Sequence, residues 1–479
     1  MEERNLTLLT DLYQLTMMDG YYRQGRKEEI AVFDLFFRQN GIITYSIAAG
    51  LEQAVDYILN INFGAEEIEY LKSLNIFSEG FLSYLKDFSF TGDVYAVKEG
   101  TVVFPGEPIL TVKAPIIEAQ LIETALLNII NHQTLIASKA AKVCYAAKGD
   151  SVLEFGLRRA QGPDAGIYGA RAAVIGGCGS TSNVLAGKMF DIAVSGTHAH
   201  SWVMNFPDEY TAFMNYAMVY PNNSLLLVDT YDTLKSGVPN AIKCFDELKK
   251  RGFKPKGIRL DSGDLAYLSK QARKMLDDAG YPDTVICASG DLDEYSITSL
   301  KNQGAAINVW GVGTKLITSA DMPALGGVYK LSAVIENGEV IPKIKVSNNS
   351  EKITNPGFKN FYRIYDNKTK MAKADVICLR DEVLPDGSEP LTITHPKDRW
   401  KKITYTDYTV REMQITIIKN GKLVYDLPDI KEIKAYATQE LDTLWDEYKR
   451  IDNPHLFKVD LSDKLYELKT SMLEKLRNR

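Results

Sequence analysis

Two histidines in the middle of the chain stand close enough together to perform chemistry. The 479-residue sequence has only five histidines, and two lie in the stretch SGTHAHSW, which begins at Ser195. Two imidazoles at this spacing can share a metal ion, as in metal-dependent hydrolases, whereas one histidine beside an anion pocket can act as a nucleophile or proton carrier. Each can also be a structural residue bonded to backbone groups. The remaining histidines, His132, His395 and His455, lie elsewhere, which weakens the metal interpretation.

Further polar side chains follow short apolar runs along the same part of the chain. Arginines and Gly-containing turns bind anions, and carboxylates hold sugar hydroxyls or a divalent metal ion. One such group could be an ordinary solvated loop, but six in succession indicate a pocket for an anion. In chain order these residues are Glu154, Arg158, Arg159, Thr197, His198, His200, Asp229, Asp232, Arg259, Asp261, Ser262, Asp264, Ser289, Gly290, Gly313 and Thr314.

The apolar runs predict the elements that position these side chains. They begin at Ser151, Phe190, Ser224, Gly257, Thr284 and Ile307, roughly 25 to 40 residues apart. The stretches between them have helical patterns, such as the one from Leu265 to Gly280, which ends on a glycine C-cap. Strand, helix and strand at this spacing form parallel β/α units, whose sites lie at the carboxyl ends of the strands. We predict an α/β fold with an irregular or incomplete (β/α) barrel; an open doubly wound sheet is the alternative.

The regions on either side of the barrel have a different character. Residues 1–130 mix helical and strand patterns and are predicted to form an N-terminal α+β domain. Residues 131–345 are predicted to form the barrel-like catalytic domain. Residues 346–479 are β-rich and end in helices, and they are predicted to pack on the N-terminal domain. The two flanking regions would then form one discontinuous α+β domain.

Composition excludes several classes of protein. The formal net charge of −6 argues against a general nucleic-acid or membrane-surface role. The five cysteines are scattered, with no C-x-x-C pair, and this is typical of reduced thiols in a cytoplasmic protein. The N-terminus lacks the pattern of a signal peptide, and no apolar run approaches the length of a membrane span.

Several long stretches, spread along almost the entire chain, carry a family resemblance. They are LLTDLYQLTM (from Leu8), FDLFFR (Phe33), EFGLRRAQGPDAG (Glu154), GSTSN (Gly179), GTHAHSW (Gly196), GIRLDSGDL (Gly257), VGTKL (Val312), ALGGVYKL (Ala324) and NPH (Asn453). In this order they resemble the nicotinate phosphoribosyltransferase family. Two departures, Ala165 where a second glycine is frequent and Cys178 before GSTSN, affect no residue to which we assign chemistry.

The resemblance implies a type II phosphoribosyltransferase fold and an ATP-coupled ligase reaction. This family transfers phosphoribose from phosphoribosyl pyrophosphate to the ring nitrogen of nicotinate, which gives nicotinate mononucleotide and pyrophosphate. The transfer is coupled to ATP hydrolysis through a phosphohistidine and uses Mg²⁺. The resemblance therefore implies a role in NAD biosynthesis from salvaged nicotinate. The chain has no G-x-x-x-x-G-K-[ST] stretch, so ATP would not be bound by a P-loop.

The resemblance also assigns roles to individual residues. It implies that His200 is phosphorylated, that Thr197 and Arg259 contact nicotinate, and that Thr314 binds phosphate. Tyr13 would stack on the pyridine ring across the interface of a homodimer with composite sites.

The strand-end pattern adds further candidates to these assignments. Arg158, Gly290 and Gly313 join the phosphate-binding residues of the anion pocket. Asp261 joins His200 as a catalytic residue that can hold ribose hydroxyls or magnesium-bound water. Asp264 has the same chemistry, and spacing does not distinguish the two aspartates. We assign no residue as a direct metal ligand. A metal-dependent barrel hydrolase and a barrel without catalytic activity remain the alternative functions.

Overall fold

Two units make up the chain. The computed structural model describes residues 4–38, 44–349, 352–395, 398 and 400–477. One unit consists of Met1–Leu135 with Ala324–Arg479, and the other of Ile136–Pro323. The elements that begin in the N-terminal segment are α1 (Leu12–Arg23), β1 (Ile30–Phe37), β2 (Ser46–Ile47), α2 (Leu51–Leu59), α3 (Ala65–Ser73), α4 (Glu79–Leu85), β3 (Asp93–Val97), β4 (Val102–Val103), β5 (Leu110–Pro115), α5 (Ile116–Leu121) and α6 (Glu123–Ala147).

The middle unit alternates strands with helices, and five of the six apolar runs form strands as predicted. The run from Phe190 does not, because Phe190 ends a helix and only Val194 forms an isolated bridge, to Thr181. Short 3₁₀ turns at Leu157–Arg159 and Pro221–Asn223 and a π-helical turn at Thr233–Gly237 add to the regular elements. The regular elements are β6 (Ser151–Glu154), α7 (Pro163–Ile175), β7 (Ser180–Thr181), α8 (Val184–Phe190), α9 (His200–Met204), α10 (Glu209–Val219), β8 (Leu225–Leu227), α11 (Val238–Lys250), β9 (Gly257–Leu260), α12 (Leu265–Asp278), β10 (Val285–Ala288), α13 (Glu294–Asn302), β11 (Val309–Val312) and α14 (Thr314–Ile317).

The C-terminal segment is rich in strands and ends in helices, again as predicted. Its elements are β12 (Gly327–Glu336), β13 (Glu339–Pro342), β14 (Lys359–Asp366), β15 (Ala372–Leu379), β16 (Leu391–Thr394), β17 (Lys402–Tyr405), β18 (Tyr408–Glu412), β19 (Gln414–Lys419), β20 (Lys422–Leu423), α15 (Ile430–Asp442), α16 (Asp446–Lys449), β21 (Val459–Leu461) and α17 (Asp463–Arg477).

The sheet of the middle unit has the strand order of a barrel that is open at one place. Its six strands pair in parallel in the order β7-β6-β11-β10-β9-β8. Strands that are consecutive in the chain are neighbours, except β7 and β8, and β11, the last in chain order, pairs with β6, the first. This is the cyclic order of a (β/α) barrel rather than of a doubly wound sheet. Among the described residues, no ladder joins β7 to β8. The predicted irregular barrel is therefore confirmed.

The helices of the middle unit bury one face, as expected for helices that cover a parallel sheet. In α11, the buried residues Ala241, Cys244, Phe245 and Leu248 repeat at helical spacing. The predicted helix from Leu265 is confirmed as α12, and its C-terminus is followed by Gly280 in the left-handed conformation. Because all six strands are parallel, their carboxyl ends meet at one rim of this unit.

The flanking regions of the chain join in one sheet. Seven strands pair in the order β13-β12-β1-β5-β3-β19-β20, so strands from both ends of the chain alternate in it. The ladder between β1 and β12 runs from Ile30 opposite Ile335 to Phe37 opposite Gly327. This pairing places β12 and β13 in the flanking unit, whereas the predicted middle domain extends to residue 345.

Candidate active site

Arg259 lies at the centre of a hydrogen-bonded cluster at the carboxyl ends of the strands. It is the third residue of β9, and its guanidinium is largely buried, with 16% of the side chain exposed. Nη1 donates to Thr197 Oγ1 at 2.8 Å, and Nε donates to Ser289 Oγ at 2.8 Å. Nη2 donates to Asp261 Oδ1 at 2.7 Å. Two acceptors that directly follow β9 and β10, and a third from the segment before α9, therefore fix the plane of one guanidinium.

Asp261 is held as a carboxylate by its neighbours. Besides the bond from Arg259, its Oδ1 accepts a hydrogen bond from the Ser289 hydroxyl. Burial acts to raise the pKa of Asp261, but Ser289, Arg259 and His200 together hold that pKa below its ordinary value. One-third of the side chain remains exposed at the rim. Asp261 is therefore a negatively charged group that a bound molecule could reach.

A second carboxylate, Asp229, lies beneath Asp261. It follows β8, and only 2% of its side chain is exposed. Its Oδ2 accepts the backbone N–H of Asp261 at 2.9 Å and the hydroxyl of Ser262 at 2.7 Å. Its Oδ1 is buried and makes no hydrogen bond with any described residue. Such a group normally finds a partner, so this oxygen is suited to a ligand or water.

His200 faces both carboxylates. It is the first residue of α9, and 40% of its side chain is exposed. Nδ1 lies 3.0 Å from Thr230 Oγ1. Nε2 lies 3.8 Å from Asp261 Oδ2 and 4.0 Å from Asp229 Oδ1. Negative charge at these distances stabilises positive charge that develops on the ring when a nitrogen forms a new bond.

His198 has a different environment and a structural role. It is buried, and its ring packs against Tyr216 with 4.8 Å between centroids. Nε2 accepts the backbone N–H of Leu227 at 3.2 Å, on the edge of β8 that lacks a neighbouring strand among the described residues. Burial lowers the pKa of His198 to about 4, so the imidazole is neutral near pH 7. His198 and His200 thus have separate partners, and a metal ion shared by the pair finds no support.

The predicted phosphate-binding residues lie at neighbouring strand ends. Gly290 follows β10, and a Cβ built there would lie 2.3 Å from the carbonyl oxygen of Asp261. Gly313 and Thr314 follow β11, where Gly313 lies against the backbone of Phe155. Arg158 is exposed in the turn after β6, and the adjacent Gly156 packs on Ile317 of α14. The structure thus brings Arg158 and Thr314 onto adjoining segments.

Tyr13 lies in the other unit. It is the second residue of α1, and 48% of its surface is exposed. Partial burial and the nearby carboxylates of Glu123 and Asp11 raise the pKa of its hydroxyl. The exposed ring is available for contact, and its part in the site stays a prediction.

The structure distinguishes residues that spacing alone leaves equivalent. Asp264 is the N-cap of α12, where its carboxylate accepts the N–H of Tyr267 at 3.0 Å. Asp261 is therefore the aspartate of this pair that belongs to the cluster. Ser289 and Asp229, which the strand-end pattern already places in the anion pocket, belong to it as well. Thr230 was not among those residues, and its place directly after Asp229 is the signal that could have identified it.

The parallel strands and the polar cluster at their carboxyl ends define an α/β protein of the barrel type with its candidate site at the rim. Comparison with known proteins then gives the family. Three sequence models match, namely the nicotinate phosphoribosyltransferase (NAPRTase) N-terminal domain over residues 8–131, the NAPRTase family over 151–373 and the C-terminal domain over 358–469. The chain belongs to the nicotinate phosphoribosyltransferase family.

Individual relatives agree with this assignment. The nicotinate phosphoribosyltransferase of Bacillus subtilis (strain 168) is 48% identical, over 100% of this chain and 97% of the relative. That of Dictyostelium discoideum is 37% identical, over 96% and 87%. The crystal structure of human nicotinic acid phosphoribosyltransferase superposes with a TM-score of 0.85 at 30% identity, covering 97% of this chain and 99% of that one. The predicted fold class, of the type II phosphoribosyltransferase kind, is confirmed.

Gly290 offers a test of how closely the cluster is packed. Gly290→Ala places a Cβ against the Asp261 carbonyl, so we expect Asp261 to shift and kcat/KM to fall at least tenfold, since displacements near 1 Å can cost about 100-fold. Gly304→Ala is the matched control, because Gly304 also has a positive φ (+72° against +95°) but has open space around its Cβ position. Equal activity in the two variants would contradict the importance of this contact.

The buried imidazole of His198 predicts a dependence of stability on pH. Its pKa of about 4 lies below the value of about 6.5 in the unfolded chain, so below pH 6.5 the unfolded state binds a proton that the native state does not. The free energy of unfolding is therefore highest above pH 6.5, and it should fall by up to about 2 kcal/mol between pH 7 and pH 5. His198→Gln keeps an acceptor for the backbone N–H of Leu227. Its free energy of unfolding, measured by urea titration at pH 7 and at pH 5, should fall less than that of the wild type. An undiminished fall would assign the effect to other groups.

Proposed function

We propose that this protein is an ATP-coupled nicotinate phosphoribosyltransferase that acts in the cytoplasm in NAD biosynthesis from nicotinate. Its substrates would be nicotinate, phosphoribosyl pyrophosphate and ATP. Its products would be nicotinate mononucleotide, pyrophosphate, ADP and phosphate. The observation that most supports this proposal is the convergence of Thr197, Arg259, Asp261 and His200 at one rim in a chain of this family. The alternative of a barrel hydrolase is unsupported, because the two histidines have separate partners.

Arg259 and Thr197 are suited to hold the carboxylate of nicotinate. A guanidinium has five N–H donors in one plane, and a carboxylate is the anion that this geometry recognises best. Thr197 and Ser289 fix the orientation of the guanidinium before any substrate arrives. The ring of Phe155 lies 5.8 Å from Arg259 Cζ and supplies an aromatic face to the same group.

The phosphoribosyl transfer joins the pyridine nitrogen to C1′ of the ribose while the bond from C1′ to the pyrophosphate oxygen breaks. Positive charge develops on the ribose, and negative charge develops on the leaving pyrophosphate. The carboxylate of Asp261 would hold ribose hydroxyls and stabilise the positive charge. The backbone N–H groups near Gly290, Gly313 and Thr314, together with Arg158, would bind the phosphates.

The ATP-dependent step takes place at His200. An imidazole nitrogen attacks the γ-phosphorus of ATP, ADP leaves, and a phosphohistidine forms, which water later hydrolyses to phosphate. The Thr230 hydroxyl orients the ring through Nδ1, and Asp229 and Asp261 lie at Nε2. The ring is exposed enough for a triphosphate to reach it.

The carboxylates of this cluster also fit Mg²⁺. This ion is usually held by one or two carboxylates together with substrate phosphates. Asp261 is an ionised carboxylate at the rim, and the buried Oδ1 of Asp229 makes no hydrogen bond with the described residues. Bound Mg²⁺ would neutralise charge on the phosphates. No group of three or more His, Cys, Asp or Glu side chains that could hold a metal by themselves occurs in the described ranges.

A product assay tests the proposed function. The purified protein is incubated with phosphoribosyl pyrophosphate and with nicotinate, nicotinamide or quinolinate, each with and without ATP. We expect nicotinate mononucleotide as the main product and a higher rate with ATP. Nucleotide formation only from another base, or none from nicotinate, would contradict the proposal.

His200 provides the sharpest test of ATP coupling. His200→Ala should lose stimulation by ATP and incorporation of γ-³²P label, while slow transfer remains, because Thr197, Arg259 and Asp261 stay in place. His198→Gln is the control, since that side chain bonds to Leu227 within the fold. It should keep the stimulation. Undiminished stimulation in His200→Ala would remove His200 from the coupling step.

We also propose that the protein acts as a homodimer with composite sites. Tyr13 is exposed on α1 together with Leu12 (54%) and Met17 (39%). An exposed cluster of this kind is suited to contact with a second copy, and a two-fold dimer completes two sites at once. Tyr13 of one chain would then stack on the pyridine ring bound in the other.

Complementation tests the composite site. Tyr13→Ala and His200→Ala should each lose ATP-stimulated activity, the first through loss of stacking on the base and the second through loss of the phosphorylated group. Mixing the two under conditions that exchange subunits should restore one intact site in each mixed dimer. Mixed dimers that regain no activity would show that Tyr13 acts within its own chain or not at all.

A further inference from the structure

A buried lysine in the middle unit joins two carboxylates from different β/α connections. Lys139 lies on α6, and only 4% of its side chain is exposed. Its Nζ lies 2.9 Å from Oε1 and 2.7 Å from Oε2 of Glu294, and it also donates to Oδ2 of Asp321. No role in the proposed reaction is assigned to any of these three residues.

Glu294 belongs to the connection that carries Gly290. It is the first residue of α13 and is buried, four positions after Gly290. The intervening turn is well defined, because Asp293 forms a capping box with Ser296 at the start of the helix. The contact from Lys139 therefore holds the chain just beyond the Gly290 turn.

Asp321 belongs to the connection that carries Gly313 and Thr314. The short helix α14 ends in backbone hydrogen bonds from Ser319 to Leu316 (3.0 Å) and from Ala320 to Lys315 (3.2 Å). Ser319 has the positive φ of a left-handed cap, and Asp321 follows two residues later. Thr314 and Asp321 are thus the two ends of one hydrogen-bonded segment.

Because the charges are buried, Lys139 depends on both of its carboxylate partners. Burial acts to lower the pKa of Lys139, but Glu294 and Asp321 hold it above its ordinary value, so the ammonium stays charged. A charged group in such a position is costly unless its partners stay in place. The bridge therefore favours one arrangement of the two connections over others.

We propose that Lys139 is a positioning residue for phosphoribosyl pyrophosphate. By bonding to Glu294 and Asp321, it fixes the Gly290 turn and the Thr314 segment in the spacing that the phosphates require. This inference rests on the proposed function, since it concerns the phosphate end of that site. It predicts that removal of the bridge weakens phosphate binding more than binding at the nicotinate end of the site, where Thr197 and Asp261 also hold Arg259.

Steady-state kinetics and binding test this inference. Lys139→Met, which keeps most of the volume without the charge, should raise KM and the calorimetric Kd for phosphoribosyl pyrophosphate at least tenfold. KM for nicotinate and kcat should change less than about threefold. Asp321→Asn should raise the same two constants about fivefold. Asp321→Asn is the milder change, because one-third of the Asp321 side chain is exposed. If Lys139→Met does not fold, the kinetics and binding of Asp321→Asn test the inference.

A matched control separates positioning from stability. Lys301 forms a partly buried ion pair with Asp150 in the same unit, at the opposite end of α13 from Glu294 and the Gly290 turn. Lys301→Met should lower the melting temperature and leave both constants for phosphoribosyl pyrophosphate unchanged. Unchanged constants in Lys139→Met or Asp321→Asn, or an equal rise in Lys301→Met, would overturn the inference. If the wild type binds phosphoribosyl pyrophosphate but forms no nucleotide, the proposed function fails while the Kd comparison still tests the bridge.

Discussion

The arrangement of the site depends on the parallel direction of six strands and on one guanidinium at their carboxyl ends. Parallel strands bring residues that are far apart in sequence to the same rim. Arg259 then joins Asp261 and Ser289, which follow β9 and β10, to Thr197 in the segment before α9. Each partner is one hydrogen bond from Arg259, and Ser289 also bonds to Asp261, so none can move far without disturbing the guanidinium. A pocket fixed in this way loses little order when a substrate binds.

The opening in the barrel explains why two adjacent histidines have different properties. The chain between β7 and β8 contains Thr197, His198 and His200, and the described residues show no strand ladder there. A strand edge with free N–H groups needs a partner, and the imidazole of His198 provides one for Leu227. With His198 used by the fold, His200 at the start of α9 is left beside Asp229 and Asp261. The segment thus combines a structural imidazole with the one that we propose to be phosphorylated.

The fold and part of the site could be predicted from sequence because their signals are local. Apolar runs at regular spacing predicted the parallel units, and the polar residues directly after them predicted the neighbourhood of Thr197, His200, Arg259 and Asp261. Contacts between residues that are far apart in the chain leave no such local pattern in the sequence. Spacing did not show that Asp264 caps a helix, or that β12 pairs with β1 across some 300 residues.

Lys139 is another residue whose contacts the sequence pattern does not predict. Its neighbours in α6 reveal a buried face, but its partners Glu294 and Asp321 follow it by 155 and 182 residues. A buried ion pair adds little net stability, because the loss of hydration offsets most of the attraction between the charges. Its main effect is on geometry, since the pair tolerates only arrangements in which both charges stay matched. We propose that this bridge sets the distance between the Gly290 turn and the Thr314 segment, two connections that no strand ladder joins among the described residues.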